Sequence, residues 1–82
     1  MRKPIKVHVD VEEMLKDIKA MHYTERTAVS EMRANHVLFY DAKKSGEMNV
    51  EHVKKFCETF FPNEPKRYER YVSVHDLPMY ER

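Results

Sequence analysis

The sequence predicts a small, mostly helical α+β domain, on three observations. Three segments, about 11–21, 25–44 and 50–61, carry apolar residues at helical spacing. Two short segments near the ends, 5–9 and 71–75, alternate apolar and polar residues as half-buried strands do. The 82 residues are 41% hydrophobic and 35% charged, which suits one folded domain rather than a disordered chain.

The N-terminal strand is predicted over 5–9, and the first helix follows it directly. Asp10 can accept hydrogen bonds from the free amides of the next turn, and Glu13 three residues later completes a capping-box-like pattern. The opposite, solvent face of this helix includes Asp17. Five apolar residues form its inward stripe: Val11, Met14, Leu15, Ile18 and Met21.

The second helix is predicted over 25–44. Thr24 can cap its start, and Lys43 and Lys44 near its end complement the helix dipole. Gly46 is the only glycine of the chain and favours a left-handed cap there. Asn35 marks a candidate break point inside this helix.

The third helix, 50–61, is predicted to be capped by Asn49 and ended by Pro62. The organisation expected is a helical region, 1–62, and a proline-punctuated tail, 63–82, that packs on it within one domain. Pairing of strand 71–75 with strand 5–9 would join the two ends in the order β-α-α-α-β.

The junction between the first two helices carries the main functional signal. Met21 ends one helix, Tyr23 can fill the core and Thr24 caps the next helix. This run, within residues 14–33, resembles the turn of helix-turn-helix DNA-binding proteins. The resemblance implies DNA contact by the second helix through these residues: Thr24, Glu25, Arg26, Thr27, Ser30, Arg33, Lys43 and Lys44.

Three residues depart from the helix-turn-helix pattern: Asp17 and Glu31 stand at apolar positions, and His22 stands where the turn usually has glycine. An ordinary helical hairpin with a capped second helix is the alternative interpretation of the same residues.

A strand followed by two helices also resembles the ribbon-helix-helix proteins, whose dimers insert paired strands into the major groove. That resemblance implies Lys6 and His8 as base-reading residues. The alternative is a strand that pairs within the monomer.

The tail offers a second basic-aromatic patch, which is able to follow a phosphate backbone. Its members are Lys66, Arg67, Tyr68 and Arg70. The alternative is a solvated linker whose tyrosines lie on the domain.

Catalytic, metal and cofactor chemistry are not expected. The five histidines and single cysteine form no paired-ligand spacing, and one glycine cannot make a glycine-rich phosphate loop. Cys57 lies in an apolar helical stripe and has no partner for an intramolecular disulfide. The chain shows neither a leader nor an apolar run of about 18 residues, so a cytoplasmic protein without membrane contact is expected.

Two functions therefore compete. The first is a small transcription regulator that binds double-stranded DNA. One version of this hypothesis has the protein bind as a homodimer. The alternative is a protein-protein interaction module or inhibitor that uses a Met/Tyr-rich surface. The junction favours the first hypothesis, whereas the net charge of only +1 favours the second.

Overall fold

The structure is a computed structural model that describes residues 5–81. Within that part it has five α-helices, four of them seven residues or longer, and one two-stranded antiparallel sheet. The order is β1 (Lys6–His8), α1 (Val11–Ala20), α2 (Glu25–Glu31), α3 (Leu38–Ser45), β2 (Glu47–Asn49), α4 (Val50–Phe60), a 3₁₀ turn (Arg67–Arg70) and α5 (Leu77–Tyr80).

Helix α1 begins and ends with well-formed caps. The Asp10 carboxylate accepts a hydrogen bond from the Glu13 N–H at 3.1 Å, as the sequence predicts. At the other end, His22 adopts a left-handed conformation with φ 67°, and the Tyr23 N–H donates to the Ile18 carbonyl at 2.9 Å. This is the 6→1 hydrogen bond of a Schellman motif, so α1 ends without a glycine.

The prediction of one helix over 25–44 is wrong, because the chain breaks between α2 and α3 at residues 32–37. Arg33 takes a left-handed conformation with φ 55°, and the Ala34 N–H donates to the Val29 carbonyl at 2.9 Å. Asn35 then turns the chain, since its Oδ1 accepts from the Val37 N–H at 3.2 Å. The break lets both short helices direct their apolar residues into one core.

The predicted pairing of segments 5–9 and 71–75 is confirmed only as a single antiparallel bridge, and a different pair of strands forms the sheet. Strand β1 pairs with β2, and Val7 lies opposite Met48. The hydrophobic periodicity of the sequence did not predict strand β2. The left-handed Gly46, φ 73°, ends α3 and directs the chain back along β1. Segment 71–75 contributes one bridge, Val9 with Val72, within residues 5–81, because the chain turns again at 74–76.

Helix α4 starts after Asn49 as predicted, but the predicted side-chain cap is wrong. Asn49 makes no capping hydrogen bond, and its Oδ1 is buried without a partner in the described residues. The helix ends at Phe60, one residue before the predicted limit.

The core is centred on Phe56 of α4. Four other aromatic rings lie with their centroids 5.1 to 6.3 Å from it: Phe39, Phe60, Phe61 and Tyr71. Tyr71, Val72 and Tyr80 of the tail are buried in the same cluster. None of the helices in residues 5–81 has the length and apolar character needed to cross a membrane.

Candidate nucleic-acid interface

The junction between α1 and α2 is held by a reciprocal capping box. The Thr24 Oγ1 accepts from the Thr27 N–H at 3.2 Å, and the Thr27 Oγ1 accepts from the Thr24 N–H at 2.8 Å. Both hydroxyls are thus directed at the backbone of α2. These two residues fix the start of the helix rather than present free groups to a ligand.

Tyr23 anchors the junction to the body of the domain, as the helix-turn-helix interpretation requires of this position. Its half-buried ring packs edge-on against Phe60 with centroids 5.1 Å apart. His22 beside it holds the left-handed turn for which glycine was expected. A left-handed residue also ends α2 at Arg33, so this conformation is that of a common helix end and is shared by a helix-turn-helix unit and an ordinary helical hairpin.

Three of the eight predicted DNA-contact residues share one exposed stripe of α2 and its C-terminal turn. Arg26 and Ser30 are four residues apart and lie on one face of α2, and the left-handed turn after the helix adds Arg33 to the same surface. Together with Asn35 and His36 they line a shallow, open depression floored by the aliphatic Val29 and Ala34 side chains. We call this the arginine depression; no carboxylate lines it.

Of the four arginines in residues 5–81, Arg26 and Arg33 have no carboxylate of these residues within 4 Å, a property that they share with most of the exposed lysines. In contrast, Arg70 lies 3.5 Å from Glu13. Lys43 forms an ion pair with Glu25 at 2.9 Å, which braces α3 against the start of α2.

The remaining predicted contact, Lys44, lies apart from this group and places its Nζ 4.9 Å from the ring centroid of the exposed Tyr40. Glu31, one of the departures from the helix-turn-helix pattern, is exposed and does not line the arginine depression.

Two of the four residues of the predicted tail patch, Arg67 and Tyr68, make contacts within the domain. Arg67 is largely buried and donates to the Asp17 carboxylate at 2.9 Å and to the Tyr71 hydroxyl at 3.1 Å. Its guanidinium carbon also lies 3.9 Å from the centroid of the Phe61 ring. The Tyr68 hydroxyl donates to a Glu81 carboxylate oxygen at 2.7 Å. This geometry favours the alternative in which the tail packs on the domain.

Asp17, Arg67 and Tyr71 form a polar cluster that we call the tail clasp. Burial raises the pKa of Asp17, but hydrogen bonds from Tyr71 and Arg67 outweigh that effect and leave the pKa below its usual value. Burial and the Asp17 carboxylate raise the pKa of Tyr71. Sequence reasoning missed the clasp because Asp17 lies 50 or more residues from its two partners and was assigned to the solvent face.

Strand β1 pairs within the chain on both of its edges. One edge contacts β2, and on the other the His8 N–H donates to Asp76 at 2.7 Å while the Ser73 N–H donates to the His8 carbonyl. The hydrogen bond from the His8 N–H, and then the one between the His8 ring and the carboxylate, lower the pKa of Asp76. Lys6 and His8 thus lie on a strand that is used internally, which favours the monomer interpretation over the ribbon-helix-helix one.

Cys57 lies in a groove between α4 and the tail, lined among others by Phe61, Pro65 and Tyr68. Burial raises the pKa of its thiol to about 11, so the thiol is protonated at neutral pH. In residues 5–81 no group of three or more histidine, cysteine or acidic side chains is arranged to hold a metal ion.

Comparison of the chain with profiles of known protein families, with curated proteins and with solved structures finds no match in any of the three. A functional assignment therefore depends on the geometry and chemistry of this chain alone.

Proposed function

We propose that the protein is a small DNA-binding regulator that contacts duplex phosphates through the arginine depression. The observation that carries the proposal is the pair Arg26 and Arg33, two exposed arginines that line one depression and have no carboxylate within 4 Å in the described residues. Arginine is the side chain best suited to phosphate oxygens, because its planar fork can donate two parallel hydrogen bonds.

The size and support of α2 are compatible with this use. Seven helical residues extend about 10 Å, which is close to the roughly 12 Å width of the major groove. The capping box at Thr24 and the Schellman hydrogen bonds after Arg33 hold both ends of the helix. A rigid, short helix offers its side chains to a ligand with little ordering cost.

The net charge of the chain sets the expected strength of DNA binding and its dependence on salt. A net charge of +1 gives little long-range attraction to DNA, so binding depends on local contacts. One phosphate contact per protein molecule predicts that log K falls against log salt with a slope of about −0.9, and a dimer on two half-sites doubles it to about −1.8.

The roles of the eight residues predicted from sequence are then divided. Arg26 and Arg33 contact phosphates, and Ser30 lies between them. Thr24 and Thr27 fix the start of α2. Glu25 and Lys43 brace α2 against α3, and Lys44 is left for a peripheral phosphate contact.

The Met/Tyr-rich surface required by the alternative hypothesis has limited support in the fold. Met14, Met32 and Met48 are buried, as are Tyr71 and Tyr80. Among residues 5–81, the exposed methionine and tyrosine side chains are those of Met79 and Tyr40. Core filling accounts for most of this composition, so we do not propose a protein partner.

The direct test is fluorescence anisotropy with a labelled mixed-sequence duplex at about 50 mM salt, where electrostatic contacts are weakly screened. The wild type is expected to bind, and Arg26→Gln or Arg33→Asn is expected to weaken binding about tenfold each. Asparagine is used at position 33 because it tolerates the left-handed backbone.

Lys55→Gln is the matched control, since Lys55 is exposed on α4 and does not line the arginine depression. It removes one positive charge and is expected to leave affinity nearly unchanged. Absence of duplex binding by the folded wild type at this salt concentration would refute the proposal.

A further inference from the structure

We infer that the arginine depression is a site for a single phosphate group, held over Ser30 between Arg26 and Arg33. The inference deepens the proposed function and rests on it only for duplex DNA as the source of that phosphate. The proposed function requires only that the arginine depression contacts phosphates, whereas the inference places one phosphate group at a defined position within it.

The lining residues supply donors on every side of the depression. Arg26 lies in the first turn of α2, Arg33 lies two residues after the helix, and Ser30 is between them in sequence; all three line the depression. His36 adds a ring nitrogen from the turn before α3.

Asn35 contributes a donor whose direction is set by the fold. Its Oδ1 accepts the Val37 N–H at 3.2 Å, so the amide oxygen is used inside the turn. The Nδ2 group is thereby left to donate from the rim of the depression.

The backbone of Arg33 fixes where its side chain leaves the end of α2. Its left-handed conformation, with φ 55°, is that of the residue that follows the helix in a Schellman motif, as at His22. This conformation ends α2 and keeps Arg33 on the side of the depression that faces Arg26 and Ser30.

A phosphate fits this donor set better than a carboxylate does. Two cations on one stripe repel each other until an anion lies between them, and no carboxylate of residues 5–81 does so. A carboxylate and the phosphodiester of DNA each offer two charged oxygens, one for each arginine fork, whereas inorganic phosphate or a phosphate monoester has a further oxygen that can accept from Ser30.

The test is a titration of the ¹⁵N-labelled protein with inorganic phosphate at constant ionic strength, balanced with chloride. Saturable shifts are expected for the backbone amides of residues 26–36 and for the Nε–H groups of Arg26 and Arg33. Arg26→Gln and Arg33→Asn are expected to weaken phosphate binding about tenfold each, and Ser30→Ala severalfold. Lys55→Gln is expected to bind as the wild type does.

Two further titrations distinguish the sources of phosphate. A dinucleoside monophosphate presents only a diester, as the DNA backbone does, and a 5′-mononucleotide presents a monoester. Shifts of residues 26–36 by the diester support both the inference and DNA as the source. Shifts by the monoester alone support the phosphate site and contradict the DNA proposal.

The inference is overturned if inorganic phosphate and both esters produce no saturable shift in a folded protein, or if the same shifts arise with chloride. A second result would also overturn the inference: the wild type binds the duplex, but the Arg26→Gln and Arg33→Asn variants bind inorganic phosphate as tightly as the wild type does. In that case duplex binding itself stands, and only the single-phosphate site fails.

Discussion

Replacement of Arg67 by alanine is expected to destabilise the domain strongly. The substitution removes three side-chain hydrogen bonds, to Asp17, to the Tyr71 hydroxyl and to the exposed Glu64, and the stacking of the guanidinium on Phe61 at 3.9 Å. It also leaves the Asp17 carboxylate, whose side chain is 15% exposed, without its ion-pair partner.

The magnitude follows from the degree of burial. Breaking a fully buried ion pair costs about 3–5 kcal/mol, whereas an exposed pair contributes about 0–1 kcal/mol. The Arg67 side chain is 13% exposed, so the clasp lies between these limits and nearer the buried one. We therefore expect a loss of about 2–3 kcal/mol, which lowers the melting temperature by about 10–20 °C for a domain of this size.

The assay is urea denaturation followed by circular dichroism, with the Arg67→Ala and Asp17→Asn single variants and the double variant in one cycle. Coupling between the two sites is expected to be about 1–2 kcal/mol. Lys66→Ala is the control, because the neighbouring Lys66 is exposed. A loss for Arg67→Ala no larger than the control's, which should be within about 0.5 kcal/mol, would show that the tail is not held by the clasp.

Three further outcomes are expected. Because the pKa of Asp17 is lowered in the folded state, its contribution to stability is complete above the ordinary aspartate pKa of about 3.9 and is lost as the pH falls through the lowered value. Denaturation curves from pH 7 to 2 should therefore show an acid loss that is smaller in Asp17→Asn; equal losses would contradict this. The Cys57 thiol, with its pKa near 11, should react with iodoacetamide at pH 8 at least about 200-fold more slowly than a free cysteine, and comparable native and urea-unfolded rates would refute its burial. At the left-handed position 22, His22→Gly should change the free energy of unfolding by less than about 1 kcal/mol, while His22→Val should destabilise by about 1 kcal/mol or more; similar values for both would argue against this turn.

Local signals predicted much of the helical framework. Asp10 and Thr24 cap the helices that follow them, because a short polar side chain satisfies amides only a few residues away. The stop at Gly46 is likewise a local property of the backbone. These features are encoded within one turn of the residue concerned, so a single sequence contains them.

The break at 32–37 was only partly encoded. Apolar residues continue at helical spacing through this segment, and it contains neither glycine nor proline, so periodicity favours one long helix. Asn35 was the single local signal of a turn. The burial of Met32 on one side and Phe39 on the other decides the outcome, and that is a tertiary effect.

The sheet and the clasp were beyond local reasoning for the same reason. A strand of three residues, Glu47–Asn49, is too short to show alternation, and only its register against β1 makes it a strand. Asp17 is indistinguishable from a solvent-facing helical residue until Arg67 is placed beside it. The arginine depression was predicted in part: Arg26, Ser30 and Arg33 were identified from the helical face, whereas Asn35 and His36 depended on the break.

The most direct test of the proposed DNA contact is the salt dependence of duplex affinity, measured between about 30 and 200 mM salt for the wild type and for Arg26→Gln and Arg33→Asn. Each lost phosphate contact should reduce the magnitude of the slope of log K against log salt by about 0.9, while Lys55→Gln keeps the wild-type slope. Equal slopes for the wild type and both arginine variants would contradict phosphate contact by the arginine depression.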